Sequence, residues 1–145
     1  MRIRAIAFVL SLLASTMAMP QTSDLPSRLE TAEQRWKQAA PKNYAYTFTF
    51  RASYVYVDCE GDSFRARIVN GAPENLPGCD RLRSAYATVP HLFAFVRKAL
   101  AEKPDSIEVS FDPELGYPVS VAIDYQKRTS DDEFYFDVST FVRFD

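Results

Sequence analysis

From Leu25 to Ala39, apolar residues recur every three or four positions: Leu25, Leu29, Ala32, Trp36 and Ala39 form one stripe. Glu30, Glu33, Gln34, Arg35 and Lys37 fill the other side. This spacing predicts an amphipathic helix. It starts at Asp24 or Ser27, since Pro26 suits a first turn and Ser27 with Glu30 matches a capping box. Pro41 ends it. A second stripe, Val89, Leu92, Phe93, Val96 and Leu100, predicts a helix over about 88–102. Thr88 caps it, Pro90 falls in its first turn, and Arg97, Lys98 and Lys103 sit near its C-terminal end, where the helix dipole favours cations.

Elsewhere the period is two. Tyr44, Tyr46, Phe48 and Phe50 alternate with Ala45, Thr47, Thr49 and Arg51. After a turn at Glu60-Gly61-Asp62, Phe64, Ala66 and Ile68 alternate with Arg65 and Arg67, which makes a hairpin. Asn70-Gly71 closes that second strand, and a loop with Pro73, Pro77 and Gly78 follows. Ile107, Val109 and Phe111 share a face, as do Val119, Val121, Ile123 and Tyr125. In the last segment the even positions Phe134 to Phe144 alternate with Glu133, Tyr135, Asp137, Ser139 and Arg143. The order α-β-β-α-β-β-β predicts an α+β fold of two layers, a five-stranded antiparallel sheet with both helices on one face.

The N-terminus reads as a signal peptide. Arg2 and Arg4 precede the apolar run Ile6 to Ala14, and Thr16 and Ala18 stand at the −3 and −1 positions of a cleavage site before Met19. The run is about half of the roughly 20 residues that span a bilayer. Residues 1–18 are thus expected to be removed, leaving 19–145 as one exported domain, periplasmic or secreted, with no integral membrane segment. That product has 15 basic against 19 acidic residues and no Lys/Arg cluster, which argues against nucleic acid as a partner. Its two cysteines, Cys59 and Cys79, are expected to form one disulfide. Such a bridge stabilises by about 3 kcal/mol.

No catalytic signature emerges. His91 is the lone imidazole, and no nucleophile near it in sequence gives it a proton to take, so it reads as a surface residue at a helix start. Asp112, Asp124, Asp131, Asp132 and Glu133 gather at strand ends, where oxygen ligands could surround a hard cation. Their spacing does not match a twelve-residue calcium loop, and Asp112 falls at the other end of a hairpin from Asp131. As a turn residue before Pro113, Asp112 reads as an acceptor for backbone N–H groups. No metal, cofactor or catalytic residue is therefore assigned.

The 8 tyrosines and 11 phenylalanines crowd into the strands. One sheet face lies under the helices. The other is expected to carry the set Tyr44/Tyr46/Phe48/Phe50 or its odd-numbered alternate, together with Tyr135 and Phe141. Tyr46, Tyr117 and Tyr135 are the candidate binding residues, because amphipathic rings on an open face recognise protein or peptide. The leading expectation is a non-enzymatic exported module with such a partner, binding through its open face or an edge strand. The alternatives are a small hydrolase using His91 and a purely structural envelope protein.

Several motifs are shared with a known family. They are Trp36, the strand start Tyr44-Ala45-Tyr46, a Cys after the first strand, Leu92-Phe93, the stretch Phe111-Asp112-Pro113-Glu114-Leu115-Gly116-Tyr117-Pro118, then Ile123-Asp124 and Asp132-Glu133. On these the chain resembles a bacterial exported family known as domain of unknown function 6174, over nearly all of residues 19–145. Members of that family often place two cysteines close together near the first hairpin, whereas here Cys79 lies far along the loop. The resemblance implies no activity.

Overall fold

In the computed structural model, which describes residues 24–52, 63–74, 85–126, 128 and 132–145, the first apolar stripe is helix α1 (Leu25–Ala39). Leu25, Leu29, Ala32 and Trp36 are buried, while Ala39 is exposed at the helix end. The N-cap is Asp24, with no side-chain cap bond, so the Ser27–Glu30 capping box does not form. Burying Leu25 requires the helix to begin one residue earlier than Pro26. Ser27 thus falls inside the first turn, where its carbonyl accepts the Thr31 hydroxyl at 3.0 Å.

The strands are β1 (Tyr44–Ala52), β2 (Ser63–Val69), β3 (Ala72–Pro73), β4 (Ser106–Phe111), β5 (Pro118–Asp124) and β6 (Glu133–Arg143), with helix α2 (Val89–Ala101) between β3 and β4. The expected five-stranded sheet is six-stranded, in the order β3-β2-β1-β6-β5-β4. The additional strand arises because Asn70 and Gly71 both take positive φ, 53° and 80°. That conformation returns a chain directly onto its own strand in a two-residue hairpin. Ala72 and Pro73 then pair with Val69 and Ile68. Pro73 has no N–H to offer and occupies the sheet's edge, where that is tolerated.

Two three-stranded meanders are thus laid side by side, joined by the antiparallel β1–β6 pair from Tyr44↔Arg143 to Ala52↔Phe134. Helix α2 carries the chain from one edge of the sheet to the other. Thr88 caps it, its hydroxyl accepting from the His91 N–H at 3.4 Å. Val89, Leu92, Phe93, Val96 and Ala99 are buried, with Ala99 rather than Leu100 completing the stripe. Both helices lie on one face of the sheet. Trp36 of α1 meets Tyr44 edge-on at 5.3 Å, Phe93 of α2 stacks on Phe111 at 6.4 Å, and the Val89 N–H donates to the Tyr44 hydroxyl at 3.3 Å.

Strand β6 departs from its expected pattern. Ala45 pairs with Val142 and Thr47 with Ser139, so two steps along β1 match three along β6. This is a β-bulge, with Thr140 at φ 48°. A bulge reverses every side chain beyond it. Phe141 therefore turns under the helices, against Tyr117 (4.5 Å), Tyr44 (5.4 Å) and Trp36 (6.2 Å). Val142, expected on the covered face with Phe136 and Val138, is 43% exposed. Phe141 does not join Tyr135 on the open face, as the alternation suggested. Among the described residues, no helix is long and apolar enough to cross a membrane. The signal-peptide segment 1–18, the proposed Cys59–Cys79 disulfide and Asp131 lie outside the described residues.

Candidate functional site

Register decides which side chains each sheet face presents. Tyr44, Tyr46, Phe48 and Phe50 all point into the core, each 3% exposed or less. The open face carries their odd-numbered alternates. Tyr46 is 0% exposed, and its hydroxyl donates to the Tyr86 carbonyl at 2.6 Å. Burial raises its pKa. Tyr117 is 8% exposed, stacked on Phe141 and edge-on to Trp36 at 6.4 Å. Its pKa is raised by burial first and then by the carboxylate of Asp112, which accepts its hydrogen bond. Of the three candidate tyrosines, Tyr135 alone presents its ring to solvent, at 42% exposure.

Five cross-strand rows make up the open face, the first being Glu133, Asp124 and Ser106 on β6, β5 and β4. Arg51, Tyr135, Ala122 and Glu108 are consecutive partners across β1, β6, β5 and β4. Beside them run Ser63, Thr49, Asp137, Ser120 and Ser110, with Ser110 and Ser120 sharing a hydroxyl hydrogen bond of 2.5 Å. Next come Arg65, Thr47 and Ser139, then Arg67, Ala45 and Val142. The Thr140 hydroxyl bonds that of Thr47 at 2.7 Å. Ala122 is small, and the gap it leaves between Tyr135 and Glu108 is the floor of a shallow depression of about 270 Å³. Among the described residues, the side chains of Arg51, Glu108 and Asp137 around it make no ion pair or hydrogen bond. Arg67, by contrast, is held by Glu74 at 2.6 Å and lies over the Phe144 ring at 4.5 Å.

Other features are already engaged. A depression between the helices is lined by Leu29, Glu33, Arg97 and Leu100, but Glu33 is paired with both Arg97 and Lys37. At the edge of β4, the Arg28 guanidinium of α1 donates to the Val109 carbonyl at 3.0 Å and lies over Phe111 at 5.8 Å. That contact blunts an edge that would otherwise pair with another strand.

His91 is exposed on the first turn of α2. Asp112 folds the β4–β5 turn: its carboxylate accepts from the N–H groups of Glu114 at 3.0 Å and Leu115 at 2.6 Å. Asp124 and Glu133 are partners at the far end of the β5–β6 pair. There, one oxygen of Asp124 and both of Asp132 are shielded without a hydrogen-bond partner. Among the described residues, no three His, Cys, Asp or Glu side chains are grouped to hold a metal ion.

Sequence reasoning missed Val142 as an open-face residue, because the bulge hid it, whereas Arg51 and Asp137 stood among the odd-numbered alternates and register selected them. Neither the curated proteins nor the solved structures hold a match to this chain. The model of the family of unknown function DUF6174 matches residues 28–143, which takes in both helices from Arg28 onward and every strand. The chain therefore belongs to that family.

Proposed function

We propose that this chain is a non-enzymatic exported module that binds a protein or peptide partner through the open face of its sheet, around Tyr135. One observation carries the reading. Among the described residues, the two exposed large apolar side chains are Tyr135 and Val142, and both project from β6 on the uncovered face. Among those same residues, Arg51, Glu108 and Asp137 surround the first of them without ion-pair partners. Exposed aromatic rings set among polar groups are enriched at interaction surfaces. On the edge of β4, the Val109 carbonyl is already taken by Arg28.

A photo-crosslinking phenylalanine analogue placed at position 135 in the producing cell tests this. It is expected to trap a protein adduct, while the same group at Lys37, on the outer side of α1, traps none. Equal adducts from both positions, or none from position 135, would overturn the reading. Export is tested on the same material: an N-terminus at Met19 in the extracytoplasmic fraction supports it, and an intact Met1 in the cytoplasm refutes it.

A further inference from the structure

We propose that the partner of this face is a second copy of the same chain, docked face to face about a two-fold axis that runs parallel to the strands along the β1–β6 boundary. This rests on the reading of the open face as the docking surface. Charge is the first argument. The boundary divides the open face into unlike halves: on β2 and β1 it presents Arg65 and Arg51, with Arg67 already paired with Glu74, and on β6, β5 and β4 it presents Asp137, Glu133, Asp124 and Glu108. An axis across the strands would set like charge on like. An axis along the strands exchanges the halves and keeps each row at its own level, so that Arg51 of each copy comes between Asp137 and Glu133 of the other. Opposed potentials of this kind select register and partner.

Shape is the second argument. A strand-parallel axis on that boundary exchanges β1 with β6, so each registered pair meets its own partner reversed. Val142 then lies over the row of Ala45 of the second copy, which at 2% exposure is already covered within its own chain. Ser139 lies over Thr47, and Asp137 over Thr49. Tyr135 lies over Arg51 of the second copy, a guanidinium on an aromatic face, with Asp137 one row away. Tyr135 thereby gains a complementary neighbour. The strand directions of the two sheets coincide, which is the aligned class of sheet packing.

The contact is small. Four strands about 4.8 Å apart and seven residues at about 3.3 Å each cover roughly 450 Å². That is below the roughly 800 Å² per partner of a standard stable interface. A weak, salt-sensitive dimer follows, not an obligate one.

Sedimentation of the exported domain across micromolar to near-millimolar concentrations tests the proposal, in low and in high salt. A monomer–dimer equilibrium that weakens with salt is expected. Arg51→Glu and Asp137→Arg each place like charges across both halves of the interface, and each should weaken self-association about tenfold or more. Mixed in equal amounts, the two variants should associate again. In the mixed pair the introduced carboxylate of one copy faces the introduced guanidinium of the other, and the retained Arg51 faces the retained Asp137. A dimer that survives both substitutions, or a mixture with no rescue, overturns the proposal. Both positions are on the sheet surface, and circular dichroism verifies folding. Should either variant misfold, the position-135 crosslink decides: an adduct joining two copies through the β1 peptide that contains Arg51 supports the dimer. Monomers at every concentration, with the crosslink joined to a different protein, would refute the second copy and leave the docking face standing. No adduct at all would refute both.

Discussion

Gly116 lies against the carbonyl of Ala32: a Cβ on Gly116 would be 2.3 Å from that oxygen, and the glycine's φ is +84°. The turn between β4 and β5 is thus pressed onto the backbone of α1, which is how Tyr117 comes to meet Trp36. Gly116→Ala should destabilise the domain by about 3 kcal/mol or more, since a left-handed φ costs about 1–2 kcal/mol and a helix backbone cannot step aside. Gly71 has φ +80° but nothing within 4 Å of such a Cβ. Gly71→Ala should therefore cost only the conformational part, about 1–2 kcal/mol. Urea unfolding of the two variants measures the difference. Equal losses would mean that the turn is not seated on α1.

The bulge at Thr140 makes a second prediction, contrary to the plain alternation of β6. Phe141→Ala should cost about 2–3 kcal/mol, somewhat below a fully buried phenylalanine because the ring is half-buried. Val142→Ala, on the open side, should change stability by less than about 0.5 kcal/mol. Reversal of that order in thermal or urea unfolding would place Val142 in the core and remove the bulge.

These two residues also show where the sequence was legible and where it was not. The helices could be read because their apolar spacing has one solution, and Pro41 bounds the first of them. Their caps were half legible: Thr88 acts as expected, whereas Ser27 lost its role to the burial of Leu25. Five strands showed clean alternation. The sixth has two residues, too few for any period, and only the geometry of Asn70-Gly71 reveals it. The open face was illegible past Ser139. Phe141 and Val142 are both apolar, so either parity satisfies the pattern, and only β1 register chooses between them. Alternation likewise separates Tyr46 from Arg51 without saying which side the helices cover. Packing of Trp36 and Val89 against Tyr44 settles that.

Asp112 is a fold-stabilising turn residue. Its carboxylate accepts two backbone N–H groups, its own N–H donates to the Tyr117 carbonyl at 2.8 Å, and its carbonyl accepts from Gly116 at 2.9 Å. Asp112→Ala removes only the side-chain bonds and should cost about 1–3 kcal/mol. Asp112→Asn keeps an acceptor and should recover a good part of that loss. Millimolar calcium should leave the melting temperature of the parent and both variants unchanged. A calcium-dependent rise confined to the parent would instead make the carboxylate a cation ligand.

Alkaline pH probes the tyrosines beneath the helices. Burial pushes the Tyr86 phenol up to about 12, with Tyr125 adding to the shift, and it raises Tyr46 and Tyr44 as well. An unfolded tyrosine titrates near 10. Below that pH both states hold their protons and stability does not depend on these groups. Above it the unfolded chain gives up protons that the folded chain keeps, so stability falls as pH rises from about 10 to 12. Tyr46→Phe removes one raised phenol and also the 2.6 Å bond to the Tyr86 carbonyl. That variant should start about 1 kcal/mol less stable at pH 8. Its stability should then decline less steeply than the parent's, because one fewer proton is retained. Urea midpoints at pH 8, 10 and 11, followed together with tyrosinate absorbance, measure both effects. Parallel slopes for the two proteins would mean that Tyr46 ionises as freely in the folded chain as in the unfolded one, and that its hydroxyl is not enclosed against the Tyr86 carbonyl.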